Sequence, residues 1–204
     1  MIPRRSFVTT LSLVIAISAV QLSAAAAKVG SPAPDFILTD IKGKTHHLEE
    51  YEGKTVVLEW VNPECPFVVK HYRSGNMQRL QHAATKDGTV WLTINSGRTG
   101  AQGDFEHDKA QNWAGRVDAG FTSYLRDSSG KVGRVYGAKT TPHMFVINPD
   151  GILIYDGAID SIASTQVRDI QRAENYVEKA LAAVKSGTIP DKSTSQPYGC
   201  RVKY

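Results

Sequence analysis

Thr55-Val56-Val57-Leu58-Glu59-Trp60-Val61 runs directly into Asn62-Pro63-Glu64-Cys65-Pro66-Phe67, and the reading of this passage decides the fold. Its first seven residues are rich in β-branched and apolar side chains, as expected of a strand buried in a sheet. Asn62-Pro63-Glu64 ends the strand. Pro66, with its fixed φ and missing N–H, suits a first helical position and predicts a helix with Cys65 at the N-cap. A cysteine there meets unpaired backbone N–H groups and the positive end of the helix dipole, both of which favour an anion. Its thiol is therefore expected to ionise more readily than a free one and to act as a nucleophile. Glu64 opposes that shift. His71, further along the same helix, is a candidate for charge stabilisation or proton transfer.

Working outward, Val29 to Tyr51 reads as an extended entry and a hairpin turning at Lys42-Gly43-Lys44. Ser74-Gly75 ends or bends the first helix, and Met77 to Ala84 continues helical. Val90 to Asn95 is the next strand, followed by a polar stretch with a helix near 105–114 and a short helix over 132–136. Met144 to Ile147 and Ile152 to Tyr155 are strands joined by the turn Asn148-Pro149-Asp150-Gly151. Val167, Ile170, Val177, Leu181 and Val184 share one helical face and predict a closing amphipathic helix. The remaining tail, 187–204, reads as polar and loose. This alternation implies an α/β fold with a central mixed sheet, helices on both faces and an N-terminal β-hairpin.

Thr141-Pro142 stands just before the strand His143 to Val146. Proline at the entrance of a buried strand requires a deliberate bend, and a cis peptide supplies one. The Thr141 backbone is then free to pair with an extended chain.

These residues resemble the thioredoxin-fold redoxin group, which includes AhpC/TSA peroxiredoxins and TlpA-like thiol-disulfide oxidoreductases. The resemblance is carried by Gly30-Ser31-Pro32-Ala33-Pro34-Asp35-Phe36, by Trp60 to Phe67, by Tyr136-Gly137 through Pro142, and by Asp150-Gly151. It implies a thioredoxin-like three-layer sandwich, with Cys65 as attacking thiol and Pro142 as the cis-proline beside it. Departures are plain. Val68 stands where a C-x-x-C motif has its second cysteine, and Val69 where copper-delivery relatives have theirs. Peroxiredoxins carry threonine or serine where this chain has Asn62, and an arginine near the position of Pro142.

Cys200 is the only other cysteine. It reads as a resolving thiol for Cys65, as half of a permanent clamp, or as an unrelated tail thiol. Three functions follow. The first is thiol-disulfide exchange, in which Thr141 and Pro142 align a protein disulfide or thiol partner. The second is a peroxidase taking peroxide plus a thiol reductant. The third is a metal-binding or copper-site assembly factor built on Cys65, His71 and His143. No cofactor or resident metal is expected. His46, His47, His82 and His107 read as solvated surface.

Arg4-Arg5, the apolar run Phe7 to Val20 and the A-x-A site in Ala24 to Ala27 predict a signal peptide over residues 1–27, of general secretory or twin-arginine type. Uncleaved, it would be a membrane anchor. The expectation is a periplasmic or secreted protein with a domain over 28–186 and the Cys200 tail over 187–204. Beyond Arg5 stand 22 Lys plus Arg against 20 Asp plus Glu, with no basic block, which excludes nucleic acid as partner. Oligomeric state is not legible.

Overall fold

The computed structural model describes residues 26–204, so the expected signal peptide lies outside the described residues except for its last two. Among the described residues no helix is long and apolar enough to cross a membrane. In chain order the strands are β1 (Ile37–Asp40), β2 (Thr45–His47), β3 (Val56–Trp60), β4 (Val90–Asn95), β5 (Ser123–Arg126), β6 (Thr140–Thr141), β7 (His143–Ile147), β8 (Leu153–Gly157) and β9 (Cys200–Arg201). The helices are α1 (Pro66–Arg73), α2 (Asn76–Lys86), α3 (His107–Arg116), α4 (Lys131–Tyr136) and α5 (Tyr176–Lys185).

Seven strands form one mixed sheet in the order β2-β1-β5-β4-β3-β7-β8. β3, β4 and β5 run parallel, whereas β7, β8 and the β1–β2 hairpin pair antiparallel. Period-two alternation sorts the side chains of β3 onto two faces. Val57 joins Val68, Tyr72, Met77, Leu80, Trp113, Val177 and Ala180 under α1, α2, α3 and α5. Val56, Leu58 and Trp60 join Phe36, Leu48, Phe145 and Tyr136 beneath the thinner cover of α4 and the N-terminal segment. Helices therefore lie on both faces, as expected of the fold class.

One register positions the site. β3 and β7 pair with Trp60 opposite His143 and Val56 opposite Ile147. The residues just after β3 and just before β7 consequently emerge at the same edge of the sheet. Cys65 and Pro142, 77 positions apart in the chain, meet there because two antiparallel neighbours must end side by side.

Three local readings change. The closing helix is two pieces: a 3₁₀ segment, Val167–Arg172, and α5, separated where Ala173 turns extended and Asn175 caps α5 by accepting from the Glu178 N–H at 3.0 Å. Shared helical spacing does not detect a cap that restarts the helix. β5 was not legible because Ser123-Tyr124-Leu125-Arg126 is short and follows a polar stretch, yet it fills the gap between the hairpin and β4. The tail read as loose is laid along the molecule. Ser195 N–H donates to Asp156 O at 3.1 Å, Val202 N–H to Lys139 O at 3.1 Å, and β9 pairs with β6.

Candidate active site

Cys65 caps α1 with extended backbone (φ −72°, ψ 125°), as its place before Pro66 requires, and its side chain is fully buried. The preceding turn is held by Asn62: its Oδ1 accepts from Glu64 N–H at 2.9 Å, and its O accepts from Cys65 N–H at 2.9 Å. The Asn62 Nδ2 donates to Gln102 O and Oε1, each at 3.3 Å. Asn62 thus ties the strand-to-helix turn to the 96–106 loop and faces Gln102 rather than the sulfur. Gly103 lets that loop come close, since a Cβ there would stand 1.8 Å from Asn62 Oδ1.

The Thr141–Pro142 peptide is cis. As a thiol, Cys65 donates to Thr141 O at 3.0 Å. Opposite Thr141, in antiparallel register, lies Cys200, whose backbone N–H donates to Cys65 Sγ at 3.4 Å. Both cysteines are free. Burial works against the Cys65 thiolate, but hydrogen bonds from the Cys200 thiol, the Thr141 hydroxyl and the Val68 and Cys200 amides outweigh it and lower its pKa. Cys200 is pushed up to about 12, by burial first and then by its bond to Cys65 and the charge there. The pair is electronically ordered: Cys65 ionises first and Cys200 keeps its proton.

His71 is fully buried, and its ring nitrogens face Asn76 and Tyr198. Asn76 Nδ2 donates to its Nδ1 at 2.9 Å, which leaves the proton on Nε2, 3.3 Å from the Tyr198 hydroxyl. Burial, then the neighbouring Lys70 charge, lowers its pKa to about 3. A neutral ring lends no positive charge to Cys65, which bears on the first of the two roles expected of it, charge stabilisation, and not on proton transfer. Tyr198 O–H in turn donates to Asp160 Oδ1. The other oxygen, Asp160 Oδ2, is buried without a hydrogen bond, 3.6 Å from Lys70 Nζ and 3.8 Å from His71 Nε2. Phe67 meets the Tyr198 ring edge-on at 5.7 Å. Sequence reading passed over Lys70, Asp160 and Tyr198. The one signal was Lys70 itself, a cation on a helix whose other inward residues are Val68, His71 and Tyr72.

His143 does not gather with Cys65 and His71 into a metal site. Its Nε2 lies 2.7 Å from Asp156 Oδ1, and its Nδ1 accepts from Lys139 N–H at 3.2 Å. Among the described residues no cluster of three or more His, Cys, Asp or Glu side chains is arranged to hold a metal ion. His46 also differs from its surface reading, being buried against Asp40 Oδ2 at 3.0 Å and Tyr51. A further buried acid, Glu59 on β3, accepts from Trp91 at 2.8 Å, Tyr72 and Gln81 at 2.9 Å and Thr93 at 3.1 Å. Its signal was a carboxylate within an otherwise apolar strand.

The chain is similar to the thiol-disulfide oxidoreductase ResA of Geobacillus thermodenitrificans (strain NG80-2), with 30% identity over 133 residues covering 62% of this chain and 67% of that protein. Among solved structures, an uncharacterised conserved protein from Geobacillus kaustophilus superposes with TM-score 0.73 at 23% identity over 89% of this chain and 94% of its own. The thioredoxin domain of a thiol-disulfide oxidoreductase from Bacteroides vulgatus superposes with TM-score 0.51 at 16% identity over 72% and 98%. These two likenesses bear on the fold. With residues 29–156 matching the model of the AhpC/TSA family, the chain belongs to that family and is a thioredoxin-fold thiol oxidoreductase.

Proposed function

We propose that the protein performs thiol-disulfide exchange with protein partners, with Cys65 as nucleophile and Cys200 as the resolving thiol of the same chain. The observation that carries this reading is the seat of Cys200. Its strand lies antiparallel to Thr141 beside cis-Pro142, with its amide on the Cys65 sulfur, where an incoming disulfide-bearing chain would lie. The Cys65 thiolate attacks a partner disulfide, forming a mixed disulfide and releasing the partner's other sulfur as thiolate. Cys200 sulfur then attacks Cys65 Sγ, the partner's sulfur departs, and it takes up the proton Cys200 gives up. The protein dithiol ends as one disulfide and the partner disulfide as two thiols. Thr141 and Pro142 align the incoming chain, and Asn62 holds the turn that presents the sulfur.

Reduced protein treated with a peptide disulfide, quenched by alkylation and digested, is expected to yield a Cys65–Cys200 linked peptide. Cys200→Ser is expected to stop at a Cys65–partner adduct. Absence of either product overturns the reading. A peroxidase predicts instead that a stoichiometric hydrogen peroxide pulse consumes Cys65 within seconds. Asn62, turned to Gln102, supplies no hydroxyl there. The reading also includes export directed by residues 1–27, which amino-terminal mass analysis of the native protein tests: a start near Lys28 supports it and an intact Met1 overturns it.

A further inference from the structure

The tail does more than carry Cys200: it fills a strand position and two side-chain seats beside the nucleophile. Gly199 has φ +139°, and a Cβ there would stand 2.0 Å from Thr141 O. Only glycine lets the chain pass so close to the cis-proline edge. One residue earlier, Tyr198 enters a pocket whose polar walls are nearly closed to solvent, Lys70 at 2%, His71 at 0% and Asp160 at 3% exposed. The phenol meets each wall with matching chemistry. Its O–H donates to the Asp160 carboxylate, its oxygen faces His71 Nε2 at 3.3 Å and Lys70 Nζ at 3.5 Å, and its ring lies against Phe67 and 5.4 Å from the Lys70 ammonium. A second carboxylate oxygen, Asp160 Oδ2, has the Lys70 ammonium at 3.6 Å but accepts no hydrogen bond, so the pocket has hydrogen-bonding capacity that an apolar side chain would waste.

We propose that this groove is a sequence-selective site for an extended cysteine-bearing segment of the partner protein. It reads a tyrosine two residues before the reacting cysteine, in the Phe67–Lys70–His71–Asp160 pocket, and a glycine immediately before it, against Thr141. The tail's own Tyr198-Gly199-Cys200 is the imprint of that preference. This rests on the exchange reading above and extends it: tail and partner compete for one strand position. When Cys200 attacks the Cys65–partner disulfide, the re-entering tail takes the groove and the reduced partner leaves.

The test uses full-length protein carrying Cys200→Ser, so that Cys65 is its single thiol. Four tetrapeptides are offered, Tyr-Gly-Cys-Arg, Phe-Gly-Cys-Arg, Ala-Gly-Cys-Arg and Tyr-Ala-Cys-Arg, each with its cysteine in a mixed disulfide to a coloured aryl thiol. Attack of the Cys65 thiolate on the peptide sulfur joins the two and releases one aryl thiolate, which is read by absorbance. The first peptide is expected to react faster than the second by about tenfold, the scale of one hydrogen bond to a buried charge, and faster than the last two by at least about as much. Asp160→Asn in the same background is expected to shrink the tyrosine-over-phenylalanine ratio. Gly199→Ala, whose added Cβ drives the chain's own tail from Thr141, is expected to leave the order of peptides intact and to raise every rate at a pH high enough to ionise Cys65 without the tail's amide. Ratios measured on one preparation do not depend on its folded fraction. Equal rates for all four peptides, or rates unmoved by Gly199→Ala at that pH, overturn this proposal while leaving the exchange reading standing. No aryl thiolate from any peptide overturns both.

Discussion

Two sulfurs of the same chemistry receive opposite treatment from their surroundings. Donors converge on Cys65 and stabilise its anion, whereas Cys200 gives one of those bonds and so holds its proton more tightly. Replacing Cys200 with alanine removes its thiol from the groups that stabilise the Cys65 anion. The half-point of Cys65 alkylation by iodoacetamide is therefore expected to move to higher pH, with slower alkylation at pH 7, when rate is followed against pH. His71 gives a second residue-scale expectation. The folded ring gains its proton only near about 3, whereas the unfolded chain gains it near the ordinary 6.5. Between those values the unfolded state binds more protons, so stability is lost as pH falls through that window, by at most about 1.4 kcal/mol per pH unit. Lys70, Asp160 and Tyr198 face the ring, and Glu59, whose burial raises its pKa, pulls stability in the opposite direction on acidification. The comparison is therefore between wild type and His71→Gln: urea unfolding at pH 7 and pH 5 should show the shallower pH dependence in the variant.

At the scale of elements, caps and turns decide where helices begin. Gly75, at φ 77°, separates α1 from α2, and the Ser74-Gly75 pair made that break legible. The break before α5 was hidden, because an apolar stripe running from Val167 to Val184 looks continuous until Asn175 is seen to accept from Glu178. Asn175→Ala is expected to cost about 1 kcal/mol in urea unfolding, the usual worth of an N-cap. β9 was equally hidden. Two residues carry too little pattern to be read as a strand, and Cys200-Arg201 becomes one only through Thr140-Thr141, some 60 positions upstream.

At the scale of the whole molecule, the tail joins the end of the chain to the strand-to-helix turn near its start. A Cys65–Cys200 bond would close a loop spanning 135 positions. In the chain-entropy model a loop on the order of 100 residues stabilises by about 4.7 kcal/mol. Oxidised protein is accordingly expected to unfold at higher urea than reduced protein, by up to that amount. Because the tail is docked before the bond forms, the two forms should share one radius of gyration in small-angle scattering; an expanded reduced form would show that the tail binds only once oxidised.

What the sequence by itself determined is local: the buried strand, the helix that Pro66 starts, the cysteine at their junction, the turns and the Thr141-Pro142 bend. Each rests on a residue's own φ, missing donor or period of apolar side chains, which act over a few positions. Only the tertiary structure decided what surrounds the sulfur. The register of β3 against β7 brings Thr141 to Cys65, burial makes His71 neutral, and Asp160 and Tyr198 meet Lys70 across gaps of 90 and 128 positions. Contacts between residues so far apart are set by which surfaces pack together, and that packing leaves no period in the chain to read.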